Sequence, residues 1–496
     1  MWGYGEALLA KGGEYAGCGT TRRSGTSEES DWRIGFVAGQ RKLLWKNPGE
    51  WFMMDRQQKN SVREEWQGEM SSRPIRIIIV GMGVRSMIYA REALEHPDRF
   101  QIVGVVDVNP ERVQTARKTF GIPQEHCFSS VEELVAVPKF ADGVINGTMD
   151  QQHVPTSLPL LRHGYDILLE KPFAVNMHEA ERLLTCEHVT DRHIMVCHVL
   201  RYAPFYRKIK EILTAGEIGR VVDIRMAEQV SYFHESVSYV RGKYASPEIC
   251  GSGMLLSKSC HDIDIMTWLM RGNDPVSVSS VGNVFQFKPE MAPEGAGNYC
   301  LVDCPVERTC PYSARCLYIE HPQRWTGNIW HDIGYEEISE EEKVAVLSDP
   351  ENPFSRCAYR CNLQIVDHQS MLVCFADGAT GTFSMNGGSS ASGRHIHITG
   401  TRGEIYGIFE EEQFKVHRIA PDAPGGRITE VVDVSRDQNG NAHGGGDQAI
   451  IHDFVTLLRG EEPSPCCTTL DDSMTGHRLV FRAEESRKRN GAMVTV

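Results

Sequence analysis

Missing from all 496 residues is any apolar run close to the roughly 20 that a membrane-spanning helix needs. Positive charge is also in short supply. The chain has 52 Lys and Arg against 66 Asp and Glu, a formal balance of −14. That balance argues against nucleic acid or an anionic membrane as the main partner. Arg22-Arg23 and Tyr15-Ala16-Gly17-Cys18 mimic export signals, but neither has the apolar segment a leader requires, so a cytoplasmic location is expected. The 15 cysteines are odd in number and lack that secretory context, so a disulfide framework is not the default. Internal repeats are absent as well. Residues 1–73, rich in Gly, Ser, Thr, Trp and charge, show no sustained periodicity. They are expected to form a poorly ordered extension, and Met53, Met54 and Met70 are alternative starts.

What the chain does have begins at Ile75 to Val80, an apolar, β-branched run with the pattern of a strand buried on both faces. Gly81 and Gly83 follow at once, and a helical stretch from Met87 to Leu94 comes next. Strand, Gly-x-Gly and helix in that order meet the needs of a dinucleotide-binding turn. Gly81 permits the tight turn, Gly83 has no side chain to hold the pyrophosphate off the backbone, and the helix N-terminus offers free N–H groups. Ser86 stands where the fingerprint usually has Gly or Ala. A second buried strand, Gln101 to Val106, ends at Asp107, placed about 20 residues on where an acid binds the adenosine ribose hydroxyls. Asp107 would repel a 2′-phosphate, and Val108, Asn109 and Pro110 bring no Arg, so NAD is favoured over NADP. The bland alternative is that Asp107 only caps the next helix.

Strands continue to alternate with helices as far as His198, so the expected fold class is α/β with an N-terminal, doubly wound parallel Rossmann sheet over 74–198. Ligands of such sheets bind beyond the carboxyl ends of the strands. Thr148, Glu170, Lys171 and His198 fall at or just after such ends. Val84, Arg85 and Ser86 at the helix start, Thr148 and His153 after the fourth strand, and Glu170 and Lys171 after the fifth complete the candidate cofactor contacts. From residue 199 to 496 the pattern predicts an α+β domain with a large, mostly antiparallel open sheet. It also predicts one long helix over 254–270 and two closing helices. The open sheet face makes a homodimer or homotetramer the expected assembly.

The Gly-x-Gly turn, Glu170-Lys171-Pro172, His261-Asp262-Ile263-Asp264, and the closing Gly446-Asp447-Gln448 and Ala483-Glu484-Glu485 segments together resemble the Gfo/Idh/MocA family. That family includes glucose–fructose oxidoreductase and inositol 2-dehydrogenase, and the likeness spans about residues 74 to 490. It implies an NAD-dependent dehydrogenase acting on a CH–OH group of a sugar, cyclitol or glycoside. Lys171 would bind the substrate oxygen and help position the nicotinamide. His261 would take the hydroxyl proton. An ammonium beside the reacting C–O bond stabilises the charge that builds as hydride leaves. Two alternatives stay open: a glycoside-cleaving or epimerising enzyme that uses transient oxidation by retained NAD, and a non-catalytic nucleotide sensor.

One departure from the family stands out. Sugar and inositol dehydrogenases usually carry Asp four residues before this His, and here that residue is Ser257, followed by Lys258. On one helix Ser257, Lys258 and His261 would share a face and converge on the substrate. A second cation would favour an anionic or carbonyl-bearing substrate or a shifted proton relay, and Asp264 could orient His261 instead. Arg201 and Tyr202 either line the substrate cleft or make an inter-domain contact.

Six thiols crowd into 62 residues, Cys300, Cys304, Cys310 and Cys316, then Cys357 and Cys361. Cys304, Cys310, Cys357 and Cys361 are the candidate ligands of a structural zinc, with His321 or His368 as substitutes. Free thiols are the competing reading. The insert carrying them, about 286–361, is expected to form an irregular flap or an oligomer contact. His443, in a glycine run that Asp447 would cap into a helix, either swings into the cleft or belongs to a linker.

Overall fold

A computed structural model of the chain describes residues 73–323, 326–330, 338–435 and 443–496. The expectation for 1–73 lies outside the described residues except for Arg73. The first sheet contains β1 (Ile75–Val80), β2 (Phe100–Val106), β3 (Cys127–Phe128), β4 (Gly143–Asn146), β5 (Asp166–Leu169) and β6 (Ile194–Val196), all parallel, in the order β3-β2-β1-β4-β5-β6. β1 lies at the centre, with every residue but Arg76 buried, as its continuous apolar run requires. The strand order reverses between β1 and β4, so the crevice beyond their carboxyl ends is the ligand position of this topology. Helices α1 (Val84–Glu95), α2 (Pro110–Phe120), α3 (His153–Arg162) and α4 (Met177–Thr190) make the crossovers. Asn109, not Asp107, caps α2, its side chain accepting from the backbone N–H of Glu111 and Arg112.

The chain then enters α5 (Pro204–Thr214) and a second sheet of nine strands. These are β7 (Val221–Ser231), β8 (Pro275–Asn283), β9 (His368–Phe375), β10 (Thr380–Ser389), β11 (Gly393–Gly400), β12 (Gly403–Ile408), β13 (Gln413–Ile419), β14 (Arg427–Asp433) and β15 (Val494–Thr495). Their order is β14-β13-β12-β11-β7-β10-β9-β8-β15, with β7 and β10 parallel and the other pairs antiparallel. Period-two alternation puts Ile224, Met226, Phe383, Met385, Ile396 and Ile398 on the buried face. The single helix expected over 254–270 is in fact two, α6 (Met254–Ser257) and α7 (Cys260–Leu269). The break at Lys258 and Ser259 leaves the Ser257 carbonyl outside the helical ladder, where Lys171 Nζ donates to it at 2.7 Å.

The insert is more than a flap. Its described part has short helices and a core of its own, in which Phe287, Tyr312, Tyr318, Leu347 and Tyr359 pack on Phe233, Val237 and Val240. Arg241 anchors that core. Its buried guanidinium donates to the carbonyls of Tyr312 and Arg356, to Ser236 Oγ, to Tyr318 OH and to Cys300 Sγ.

Two closing helices, α8 (Gly446–Leu458) and α9 (Leu470–Lys488), return to the first sheet. Phe454 and Leu458 cover Gly143, whose missing side chain gives them room: a Cβ there would sit 2.8 Å from Leu458. One hydrophobic core therefore holds Ile77 and Ile145 of the first sheet together with Ile450, Phe454 and Ile398. The entry to α8 is tight. Gly444 and Gly445 have φ of +59° and +90°, and a Cβ on Gly446 would lie 2.2 Å from the Val199 carbonyl oxygen. Gly446→Ala should therefore destabilise the protein by about 1–3 kcal/mol, the range of forced overpacking, measured as a lower urea midpoint at unchanged m-value. An unchanged midpoint would mean that this loop yields freely.

Candidate active site

The nucleotide turn follows from its glycines. Gly81 has φ of +79°, and a Cβ there would meet the Thr148 backbone nitrogen at 2.7 Å. At Gly83 the added Cβ would find only the Gly147 carbonyl oxygen, at 3.9 Å, so the cradle beside it is open to a pyrophosphate. No side chain caps the α1 N-terminus, which keeps its N–H groups directed at the same space. Ser86 is fully buried, and its hydroxyl donates to the Gly81 carbonyl at 2.7 Å. Gly147 makes room for it, since a Cβ there would lie 2.1 Å from Ser86 Oγ. The serine thus keeps the close packing that the fingerprint glycine provides.

Asp107 stands at the β2 end, where its carboxylate accepts from the N–H groups of Met82 (2.6 Å) and Asn109 (2.8 Å), with Arg112 at 3.7 Å. Val84, partly buried, opens α1. These residues fit a dinucleotide. Arg85 turns inward instead, donating to Glu170 (2.9 Å) and Asp447 (2.7 Å) and bonding Tyr89 OH. Thr148 bonds Asn146, and the His153 ring nitrogens lie 2.7 and 3.0 Å from the Pro172 and Thr148 carbonyls. His153, fully buried, clamps the segments after β4 and β5 together.

Glu170 stands just beyond β5. Its carboxylate accepts from Arg85, from Tyr89 OH (2.6 Å) and from the Lys171 backbone N–H (2.9 Å). Burial alone would raise this carboxyl, but Arg85 and Lys171 outweigh it and hold it below the usual range. Lys171 reaches across from the first sheet to Ser257, and His261 follows at the start of α7. Burial, and then the charges of Lys171, His198, His443 and Arg394, keeps the His261 imidazole neutral well below its ordinary range. A neutral imidazole beside an ammonium can accept a proton while the ammonium steadies an oxyanion.

Several expected contacts go elsewhere. Arg201 is 2% exposed and grips Asp264 through two bonds of 2.7 and 2.6 Å, so Asp264 does not orient His261. Tyr202 OH donates to Asp453 at 2.7 Å in the core. Ser257 Oγ donates to the Gly253 carbonyl. Lys258 does not present a bare charge, since Glu228 lies 2.8 Å away and holds Arg394 at 2.7 Å as well. Arg394 also reaches Asp262 at 3.1 Å, whose carboxyl burial and the neighbouring Glu228 push up to about 7.

Among the described residues, ligating side chains gather closely enough for one ion at Glu92, His96 and His452, and at Glu187, His188 and Asp471. Cys304, Cys310, Cys357 and Cys361 are not among these groups, and none of the four is in a disulfide. Glu228, Arg394, His443 and Asp447 are residues of the site that sequence reasoning missed or gave another role. Glu228 had a signal, as a carboxylate on the inward face of a strand with Ile224, Met226 and Val230. Asp447 does not cap α8, whose N-cap is Gly445. It accepts from His443 Nδ1 at 2.9 Å.

Known proteins share the sequence pattern and the fold. Residues 75–198 match the model of an oxidoreductase family with an NAD-binding Rossmann fold, and 206–307 match the GFO/IDH/MocA C-terminal domain. The Bacillus subtilis protein YteT, named as an oxidoreductase, is 26% identical over 402 residues, 78% of this chain and 89% of that one. Inositol 2-dehydrogenase of Corynebacterium glutamicum is 24% identical over 42% of this chain and 57% of its own length. The solved structure of levoglucosan dehydrogenase with NADH and levoglucosan superposes with a TM-score of 0.61 at 17% identity, covering 86% of this chain and all of that one.

His198, His261, His443 and His477 are all held below their ordinary range, burial being the first cause in each. The unfolded chain takes up protons near pH 6.5 that the folded chain refuses, so their stabilisation is complete above that pH and lost as the pH falls. Each contributes a slope of up to about 1.4 kcal/mol per pH unit. The unfolding free energy should drop between pH 7 and pH 5, and His198→Gln should flatten the drop. A flat wild-type profile over that window would count against neutral buried imidazoles.

Proposed function

We propose a function from one premise: this chain belongs to the Gfo/Idh/MocA family of NAD-binding oxidoreductases. It moves hydride between nicotinamide and a secondary alcohol carbon of a sugar or cyclitol. The observation that supports this reading is that Lys171, just beyond β5, bonds the Ser257 carbonyl and lies close enough to His261 for its charge to lower the imidazole's proton affinity. Bound there, NAD would supply the hydride acceptor. Lys171 holds the substrate oxygen and stabilises its negative charge as hydride departs, and His261 accepts the hydroxyl proton. Asp107 supports NAD over NADP, because a carboxylate held at the β2 end by two backbone bonds would repel a 2′-phosphate.

The pairing of Lys258 with Glu228 also bears on the substrate. With its charge matched, Lys258 gives little reason to expect an anionic substrate, and a neutral polyol fits better. Relatives named for inositol and levoglucosan point to the same class.

The test is a panel of cyclitols, sugars and anhydrosugars with NAD, followed by the absorbance of reduced nicotinamide. One substrate class should turn over. Lys171→Ala and His261→Ala should each lower kcat by about 100-fold or more, the usual contribution of a positioned acid–base group or charge, with the NAD Kd little changed. NAD binding without turnover of any polyol would overturn the reading.

A further inference from the structure

Taking a proton leaves His261 with a problem. An imidazolium there would be buried beside Lys171, and its Nδ1 has no hydrogen-bond partner. The proton must therefore move on, and two imidazoles flank the ring. His198 lies 5.8 Å away between ring centroids, fully buried, with neither nitrogen hydrogen-bonded. Its nearest carboxylate, Asp264 at 3.7 Å, is already gripped by Arg201. Beyond it lies His477, equally buried against Phe173, so that direction leads into the core.

His443 lies on the other side, its ring centroid 6.0 Å from that of His261 and its side chain 18% exposed. Its Nδ1 faces Asp447 Oδ2 at 2.9 Å, which selects the tautomer with the proton on Nδ1 and makes Nε2 the accepting nitrogen. Arg85 of α1 holds the other Asp447 oxygen at 2.7 Å and so fixes the carboxylate. Among the described residues, the charged and titratable groups facing His443 include Asp447 from α8, Arg85 from α1, Arg394 from β11 and His261 from α7.

We propose that His443, oriented by Asp447, is a positioning residue that relays the substrate proton from His261 to solvent, replacing the carboxylate that Ser257 lacks. The inference rests on His261 being the base. As hydride leaves the substrate carbon for nicotinamide with both electrons of the C–H bond, the hydroxyl proton passes to His261 Nε2. The His261 imidazolium then passes a proton to His443 Nε2 through an intervening water and is neutral again. His443 releases one proton to solvent per turnover, and Asp447 stabilises the transient imidazolium. In the reducing direction the same path runs backwards.

The experiment uses the full chain and the panel polyol that the wild type oxidises. His443→Gln should lower kcat about 10- to 100-fold, with KM and the NAD Kd within about three-fold, since the relay acts after binding. Imidazole added to His443→Ala should recover part of the loss. Asp447→Asn should move the acid limb of the kcat–pH profile to lower pH, because an unpaired His443 holds its proton less tightly. Wild-type kcat and pH profile in both variants would overturn the relay while leaving the oxidoreductase reading intact. Full activity in Lys171→Ala and His261→Ala would overturn that reading instead. Nitrogen-15 NMR of histidine-labelled protein without substrate gives an independent readout. A neutral His443 protonated on Nδ1, titrating at lower pH in Asp447→Asn, is expected. The Nε2-protonated tautomer would overturn the relay whatever the turnover.

Discussion

Arg85 joins residues from three distant parts of the chain. It leaves the first turn of the helix that follows the glycines, takes Glu170 from the end of the fifth strand, and takes Asp447 from the start of α8. Side-chain exposure is 26% for the arginine and about 5% for the two carboxylates, so the three charges share a site largely shielded from water. Removing the cation would leave two buried carboxylates uncompensated, which is far costlier than losing a surface pair. The geometry of Lys171 follows from this hub through the Glu170 bond to its backbone. The placement of His443 follows through Asp447. A residue that sequence spacing places among the candidate cofactor contacts thus also joins the nucleotide half to the C-terminal helices.

The second theme is protonation. Four histidines lie in or beside one shielded region with few carboxylates to charge them, and they are neutral as a result. Neutrality suits His261 as a base and disfavours any proton that stays on it. On the far wall, Glu228 balances Lys258 and Arg394, so the crevice is more nearly neutral than its count of basic residues suggests. Both features are properties of packing and dielectric.

The architecture was legible where local rules are strong. The buried β1 run, the Gly-x-Gly turn, the acid at the β2 end and the alternation of strands with helices all follow from short-range pattern. The two-sheet organisation follows from the change of period after residue 200. Legibility failed at the helix break after Ser257, because nothing local marks Lys258 and Ser259 as non-helical; the break accompanies a carbonyl bonded by a lysine 86 residues away. At Arg201 and Tyr202 the sequence left two readings open, a cleft lining or a packing contact, and the structure directs both to carboxylates in the core, Asp264 and Asp453. The role of the crowded thiols was not legible either: Cys300 Sγ accepts from the Arg241 guanidinium, around which the insert folds.

By itself, then, the sequence determined the elements, the nucleotide-binding turn, and the presence of a lysine and a histidine of the right kind at the ligand side. Those depend on hydrophobic period, backbone freedom at glycine and residues close in the chain. Only the tertiary structure decided which groups surround that histidine, which carboxylate matches which cation, and where a proton can go. His261 and His443 are 182 positions apart, and Arg85 and Asp447 are 362 apart, so no local pattern relates them. Their coupling exists because the last helices fold back onto the first sheet, and because burial there makes each nearby charge felt strongly.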